Sequence, residues 1–252
     1  MRPPVIAKDY DGLCREAVRR IEPLARDALR SRDRFTMAIS GGSTPEGVYL
    51  RMADSSFGAK LPWEKIHIFW ADERWVSPGD PQSNYHLVAR SLLSKVPLPA
   101  RNIHRIPLAG DLESAAHAYE KEMVSFFKAP EGEVPIFDLI LLGLGTDGHT
   151  ASLFPGHPAL FETERLALPV TGEEIGLPRI TLTLPVINQA RCVIFLVSGR
   201  GKAVIVKKIF EEEKTDLPAC RIKLKQGKLY WLLDAPAAPG ILSPSEWAGE
   251  SI

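Results

Sequence analysis

The residues best suited to chemistry lie in one stretch, FDLILLGLGTDGHTASLFP, from Phe137 to Pro155. Phe137 to Leu142 is an apolar run closed by Gly143 and Gly145, the pattern of a strand buried on both faces. Thr146, Asp147, Gly148, His149 and Thr150 follow at once, beyond the carboxyl end of that strand, where α/β sheets bind their ligands. An imidazole exchanges a proton readily near neutral pH, which makes His149 the candidate acid/base group. Asp147, two positions earlier, is close enough in a turn to orient the ring, and it also fits as the cap of a following helix. Ser152 falls on that expected helix as a capping or packing residue. The chain has no G-x-S-x-G elbow that would make a serine the nucleophile.

A second constellation fits an anion. In MAISGGSTPEGVYL, Met37 to Leu50, a strand runs into Ser40, Gly41, Gly42, Ser43 and Thr44, and Pro45 then stands in the first turn of a helix. Glycines let the backbone approach a ligand closely, the free N–H groups and dipole at the helix start favour phosphate, and two hydroxyls add donors. The same residues also suit a plain glycine turn with a Ser/Thr cap. Neither the lysine of a Walker loop nor the third glycine of a dinucleotide fingerprint is present, so ATP and NAD are not indicated. In VIFLVSGRGKAVIVKKIF, Arg200 and Lys202 stand where another strand gives way to a helix, and one of them is expected to reach the anion. Lys207 and Lys208, and the series Arg221, Lys223, Lys225 and Lys228, read as solvated charges.

In IFWADERWVSPGDPQSNYHL, the charged residues Asp72, Glu73 and Arg74 follow a strand, either solvated or held in a polar site. Asn84, or Ser83 beside it, opens the next helix as a cap or a ligand contact. His149 and His157 lack a third ligand at a familiar spacing, so no metal is expected.

The elements that must position these residues alternate. Helical spacing of Leu13, Ala17, Ile21, Leu24, Ala25 and Ala28 predicts a first amphipathic helix, kinked at Pro23. Strands are predicted at Arg34 to Ile39, Ile66 to Trp70, Phe137 to Leu142, Leu166 to Val170, Ile180 to Leu184, Cys192 to Val197 and Leu229 to Leu233. Helices are predicted at Pro45 to Met52, Asn84 to Leu93, Leu112 to Phe126 with Asp111 as its cap, and from about Lys202 to Glu212. From Ala235 onward the prolines and weak periodicity predict a loosely packed extension. Such alternation implies a largely parallel sheet covered by helices.

Composition bounds the rest. At 252 residues and 45% apolar, the chain can bury its core as one α/β domain. Basic and acidic residues balance at 31 each, so no overall field gathers nucleic acid or an anionic membrane, and a small-molecule substrate fits better. The three cysteines, Cys14, Cys192 and Cys220, are too few and too scattered for a disulfide framework or a zinc site. With no signal-like start and no apolar run of about 18 residues, a soluble, cytoplasmic protein is expected.

Taken together and in order, SGGSTP, WADERWV followed by SNYHL, LLGLGTDGHTASLFP, RITLTLPVINQA and SGRGKA resemble the motifs of the 6-phosphogluconolactonase family. The resemblance runs from about Met37 to Ala203, and its DGHTASLFP element is the most specific part. It implies a three-layer α/β/α, Rossmann-like fold shared with glucosamine-6-phosphate deaminase and ribose-5-phosphate isomerase. The implied reaction, from the oxidative pentose phosphate pathway, is hydrolysis of 6-phospho-D-glucono-1,5-lactone to 6-phosphogluconate without a cofactor. In that reaction His149 would serve as general base for water, with Asp147 orienting it. Arg74 would steady the oxyanion, and Arg179 would contact phosphate or sugar hydroxyls. Gly42, Ser43 and Thr44, with Arg200 or Lys202, would hold the phosphate, with Asp72, Glu73 and Asn84 as further contacts, and a monomer or weak homo-oligomer is expected as the acting species. Two alternatives stand beside it. A deaminase of the same fold carries a tyrosine where this chain has Arg74, and a sugar-phosphate sensor would carry a DNA-binding segment ahead of a first strand expected only about 35 residues in.

Overall fold

The computed structural model describes residues 3–58, 61–211 and 216–241. The chain runs β1 (Val5–Ala7), α1 (Tyr10–Arg32), β2 (Phe35–Ile39), α2 (Ser43–Ala53), a single turn α3 (Ser55–Gly58), β3 (Ile66–Trp70), β4 (Asp72–Arg74) and α4 (Asn84–Ser91). It continues through β5 (Ile103–His104), α5 (Leu112–Phe127), β6 (Leu139–Leu142), β7 (Ala167–Val170) and β8 (Arg179–Leu182). The last elements are α6 (Leu184–Gln189), β9 (Cys192–Val197), α7 (Ala203–Glu211) and β10 (Lys228–Asp234). Glu212, the expected end of α7, lies outside the described residues.

Seven strands form one parallel sheet in the order β1-β10-β9-β6-β2-β3-β5. Every residue of β2, β6 and β9 is buried, which is why these strands read as continuous apolar runs rather than alternating ones. From β2 the chain proceeds through β3 and β5 toward one edge, and from β6 through β9 and β10 toward the other. The reversal between β2 and β6 is a topological switch point, where the loops leaving the strands open a crevice.

Helix ends follow local chemistry. Asp9 caps α1 by accepting from the Gly12 N–H at 2.7 Å, and Asp111 caps α5 by accepting from the Ser114 N–H at 2.7 Å. Helix α1 continues through Pro23 without a break. Pro23 and Arg19, whose carbonyl the ring leaves without its usual donor, both lie on the exposed face, where water can serve that carbonyl.

Four departures from the sequence expectations matter. A short strand, β1, precedes the expected first strand and pairs parallel with β10; three residues are too few to show a period. The runs near 166–170 and 180–184 do not join the parallel sheet. They form β7 and β8 of a separate antiparallel sheet, β4-β8-β7, because Asp72 to Arg74 is itself a strand that pairs with β8. Ala237 and Ala238 are buried against the core, so the start of the expected loose extension is packed; residues 242–252 lie outside the described residues. Arg221 is likewise more than a solvated charge, since it donates twice to Asp216 and once to the Leu160 carbonyl, and stacks over Phe161.

Candidate active site

A cleft of about 280 Å³ opens at the carboxyl ends of β2, β6 and β9, walled on one side by β4, β8 and the start of α4. Ser43 and Thr44 enter it from the first turn of α2, and Gly42 precedes them with a φ of 104°, open to glycine but not to a residue with a Cβ. Gly41 passes so close to Asn84 that a Cβ there would overlap the amide. Gly41 is therefore required by the approach of loop and helix and Gly42 by its backbone conformation, and the start of α2 that follows them lines the cleft.

His149 reaches the cleft from the turn after β6. No helix follows it, contrary to expectation: Thr150 and Leu153 close an isolated antiparallel bridge instead. Asp147 is thus no helix cap. Its Oδ1 lies 2.6 Å from His149 Nδ1 and also accepts the His149 backbone N–H at 3.1 Å. Burial pushes the Asp147 carboxyl up, but the hydrogen bonds and charge of His149 outweigh it and hold the carboxyl below its ordinary range. A carboxylate at Nδ1 leaves Nε2 as the basic nitrogen. The ring packs 4.5 Å from that of Phe154.

Arg74 and Arg179 face the same space as direct cross-strand partners on β4 and β8. Like charges directly opposite one another destabilise a sheet. Both Nε atoms are buried without a partner. The guanidinium of Arg74 donates to the Gln82 carbonyl at 2.6 Å, and that of Arg179 lies 5.5 Å from the Phe154 ring centre. Burial, aided by Arg74, lowers the pKa of Arg179 despite the attraction of Asp72. Lys202 completes the cationic lining, its pKa lowered by burial against the pull of Asp147. Asp234 fixes the turn that carries Lys202, accepting from the Ser198 hydroxyl and from the Gly199 N–H at 3.0 Å. Three cations, Arg74, Arg179 and Lys202, meet one carboxylate, Asp72, in the cleft wall. This balance fits an anionic ligand.

The chain matches, over residues 8–231, the model of the family described as glucosamine-6-phosphate isomerases/6-phosphogluconolactonase. The chain belongs to this family. A 6-phosphogluconolactonase of Synechocystis sp. is 46% identical over 85% of this chain and 88% of its own length, and one of Nostoc sp. is 45% identical over 83% and 86%. The solved structure of a 6-phosphogluconolactonase from Trypanosoma cruzi superposes with a TM-score of 0.84 at 27% identity, covering 96% of this chain and 97% of that one.

Within the family fold, not every residue singled out by sequence reaches the cleft. Gly42, Ser43, Thr44, Asp72, Arg74, Asn84, His149, Arg179 and Lys202 line it, with Asp147 directly behind His149. Glu73 does not. Its carboxylate is buried beneath α4, accepting from the N–H groups of Arg74, Asn84 and Tyr85 at 2.7 Å each and from the Ser83 hydroxyl at 3.0 Å. Burial raises its pKa although these bonds oppose the rise. Period-2 alternation along β4 sends Glu73 to the face opposite Asp72 and Arg74, so it organises the helix start rather than a ligand. Arg200 is exposed outside the cleft, while Lys202, two residues on, turns inward. Ser83 is the N-cap of α4, accepting from His86 N–H, and Asn84 instead donates to the carbonyl of Asp72 at 2.8 Å and to its Oδ1 at 3.3 Å. Among the described residues, no group of three or more His, Cys, Asp or Glu is arranged to hold a metal. His157 instead binds the backbone of Ala159 and Thr171. Ser152 and Thr181 are the polar residues beneath the cleft that the sequence did not single out for a role in the site.

Proposed function

We propose that this protein hydrolyses 6-phospho-D-glucono-1,5-lactone to 6-phospho-D-gluconate. One observation carries the reading: a carboxylate-oriented imidazole faces a cationic cleft that begins at a helix N-terminus. The phosphate lies at the start of α2, against Gly42, Ser43 and Thr44, with Lys202 supplying charge from the opposite loop. This remote binding holds the lactone carbonyl near His149 and the arginine pair.

A water oxygen attacks the carbonyl carbon while His149 Nε2 takes its proton, and the Nδ1–H is held by Asp147. Negative charge then develops on the carbonyl oxygen, and the guanidinium groups of Arg74 and Arg179, which line the cleft, stabilise it. As the tetrahedral intermediate collapses, the bond to the ring oxygen breaks and the imidazolium returns the proton to that oxygen. The ring opens to the free acid, which ionises in water. Every step is proton transfer and acyl transfer to water, so no cofactor enters. The protein acts as one domain, in the cytoplasm, as a monomer or weak homo-oligomer. No helix among the described residues is long and apolar enough to cross a membrane.

The test compares lactone decay with wild type, His149→Ala and no enzyme at neutral pH, the lactone being generated in place by glucose-6-phosphate dehydrogenase. Wild type is expected to accelerate hydrolysis, and a folded His149→Ala to lose about 10²- to 10⁴-fold in rate. Wild type matching spontaneous decay would end the lactonase reading.

A further inference from the structure

The turn that carries His149 has no helix to support it. Between Thr150 and Leu153, Ala151 adopts a φ of 48°, a left-handed conformation unfavourable for any residue with a Cβ, so outside contacts must hold it. They converge on Ser152, which is fully buried and does not line the cleft. Its hydroxyl donates to Asp72 Oδ2 at 2.7 Å, and its backbone N–H donates to Thr181 Oγ1 at 3.1 Å. The Thr181 hydroxyl gives its own proton to the Leu182 carbonyl at 3.1 Å, leaving a lone pair for that N–H.

Asp72 and Thr181 are themselves opposite one another on β4 and β8. Two residues further along the same pair of strands, and therefore on the same face, stand Arg74 and Arg179. Ser152 thus spans one rung of the antiparallel sheet, and the next rung on that face carries the arginines. Asn84 anchors the same rung from α4 through the other oxygen of Asp72.

We infer that Ser152 is a positioning residue for hydrolysis: its hydroxyl and N–H clamp the His149 turn onto the Asp72–Thr181 rung and so set the separation of imidazole and arginine pair. The inference rests on the lactonase reading, and turnover by wild type in the same assay separates failure of one from failure of the other. A misplacement of about 1 Å between reacting groups can cost on the order of 10²-fold in rate. Phosphate binding should be spared, because the α2 loop and Lys202 belong to other elements.

Two variants test it, each removing one arm of the clamp by substituting a residue that does not itself line the cleft. Ser152→Ala deletes the donor to Asp72, and Thr181→Val, nearly isosteric, deletes the acceptor of the Ser152 N–H. Each is expected to lower kcat about tenfold or more, with KM and inhibition by 6-phosphogluconate within about twofold of wild type. Rates are normalised to folded protein measured by circular dichroism. The inference is overturned if both folded variants keep wild-type kcat, or if kcat and product affinity fall while KM rises, as in a generally loosened core. Should Ser152→Ala fail to fold, Thr181→Val decides alone by the same criteria.

Discussion

Replacing Gly41 by alanine isolates the contact between the phosphate loop and α4. A Cβ on Gly41 would lie inside the van der Waals envelope of the Asn84 amide, and 3.2 Å from its Cβ. The amide would have to withdraw by roughly 1 Å or more to regain ordinary carbon contact distance. It has little room to do so. Asn84 is 1% exposed, its Nδ2 donates to Asp72 at 2.8 and 3.3 Å, and its backbone N–H is held by Glu73. Overpacking of this kind costs about 1–3 kcal/mol, and each hydrogen bond given up adds about 0.5–1.5 kcal/mol. Gly41→Ala should therefore destabilise the fold by about 2–5 kcal/mol, read as a lower urea midpoint, and should raise KM by displacing the loop. Asn84→Ala removes the obstructing amide and leaves only the Cβ, so in that background the same substitution should cost less than about 1 kcal/mol. The double-mutant cycle should yield a coupling energy above about 1 kcal/mol. An equal cost in both backgrounds, or a single-variant cost below about 0.5 kcal/mol, would refute the steric reasoning.

Two further outcomes follow from electrostatics. Arg179 is disfavoured as a charge by burial and by Arg74 opposite it, so Arg179→Met should stabilise the free protein by about 0.2–1 kcal/mol, on the order of 1–3 °C, while lowering kcat about tenfold or more. A lower melting temperature without ligand, or an unchanged kcat, would contradict it. His67 lies 3.0 Å from His104, which in turn contacts Glu122, and burial first, then His104, Arg34 and Arg101, lower its pKa from 6.5 to about 4. Its neutral form is the one the fold prefers, so unfolding takes up a proton between these values and stability declines as pH falls from 6.5 toward 4. His67→Gln should remove nearly one proton, about 0.9, from the uptake on unfolding at pH 5, and an unchanged uptake would exclude His67 as the source.

The sequence by itself determined the elements whose information is local. The buried strands β2, β3, β6 and β9 announced themselves as apolar runs because they are covered on both faces, and the glycine loops after β2 and β6 marked where backbone must bend or approach closely. Hence His149, Ser43, Thr44 and Lys202 were legible as residues at strand ends, and all four line the cleft. Only the tertiary structure decided which charged residues share the cleft. Asp72 and Ser152 meet across 80 positions of chain, and Arg74 meets Arg179 only because β4 and β8 pair in one antiparallel register. Glu73 and Arg200 have the same residue types and neighbourhoods as the cleft residues, yet strand alternation buries one under α4 and the other is left in solvent. A side chain's type and local spacing are written in a few neighbouring residues, whereas its direction and partners depend on which distant strand supplies the next hydrogen-bonded rung, and no local pattern encodes that pairing.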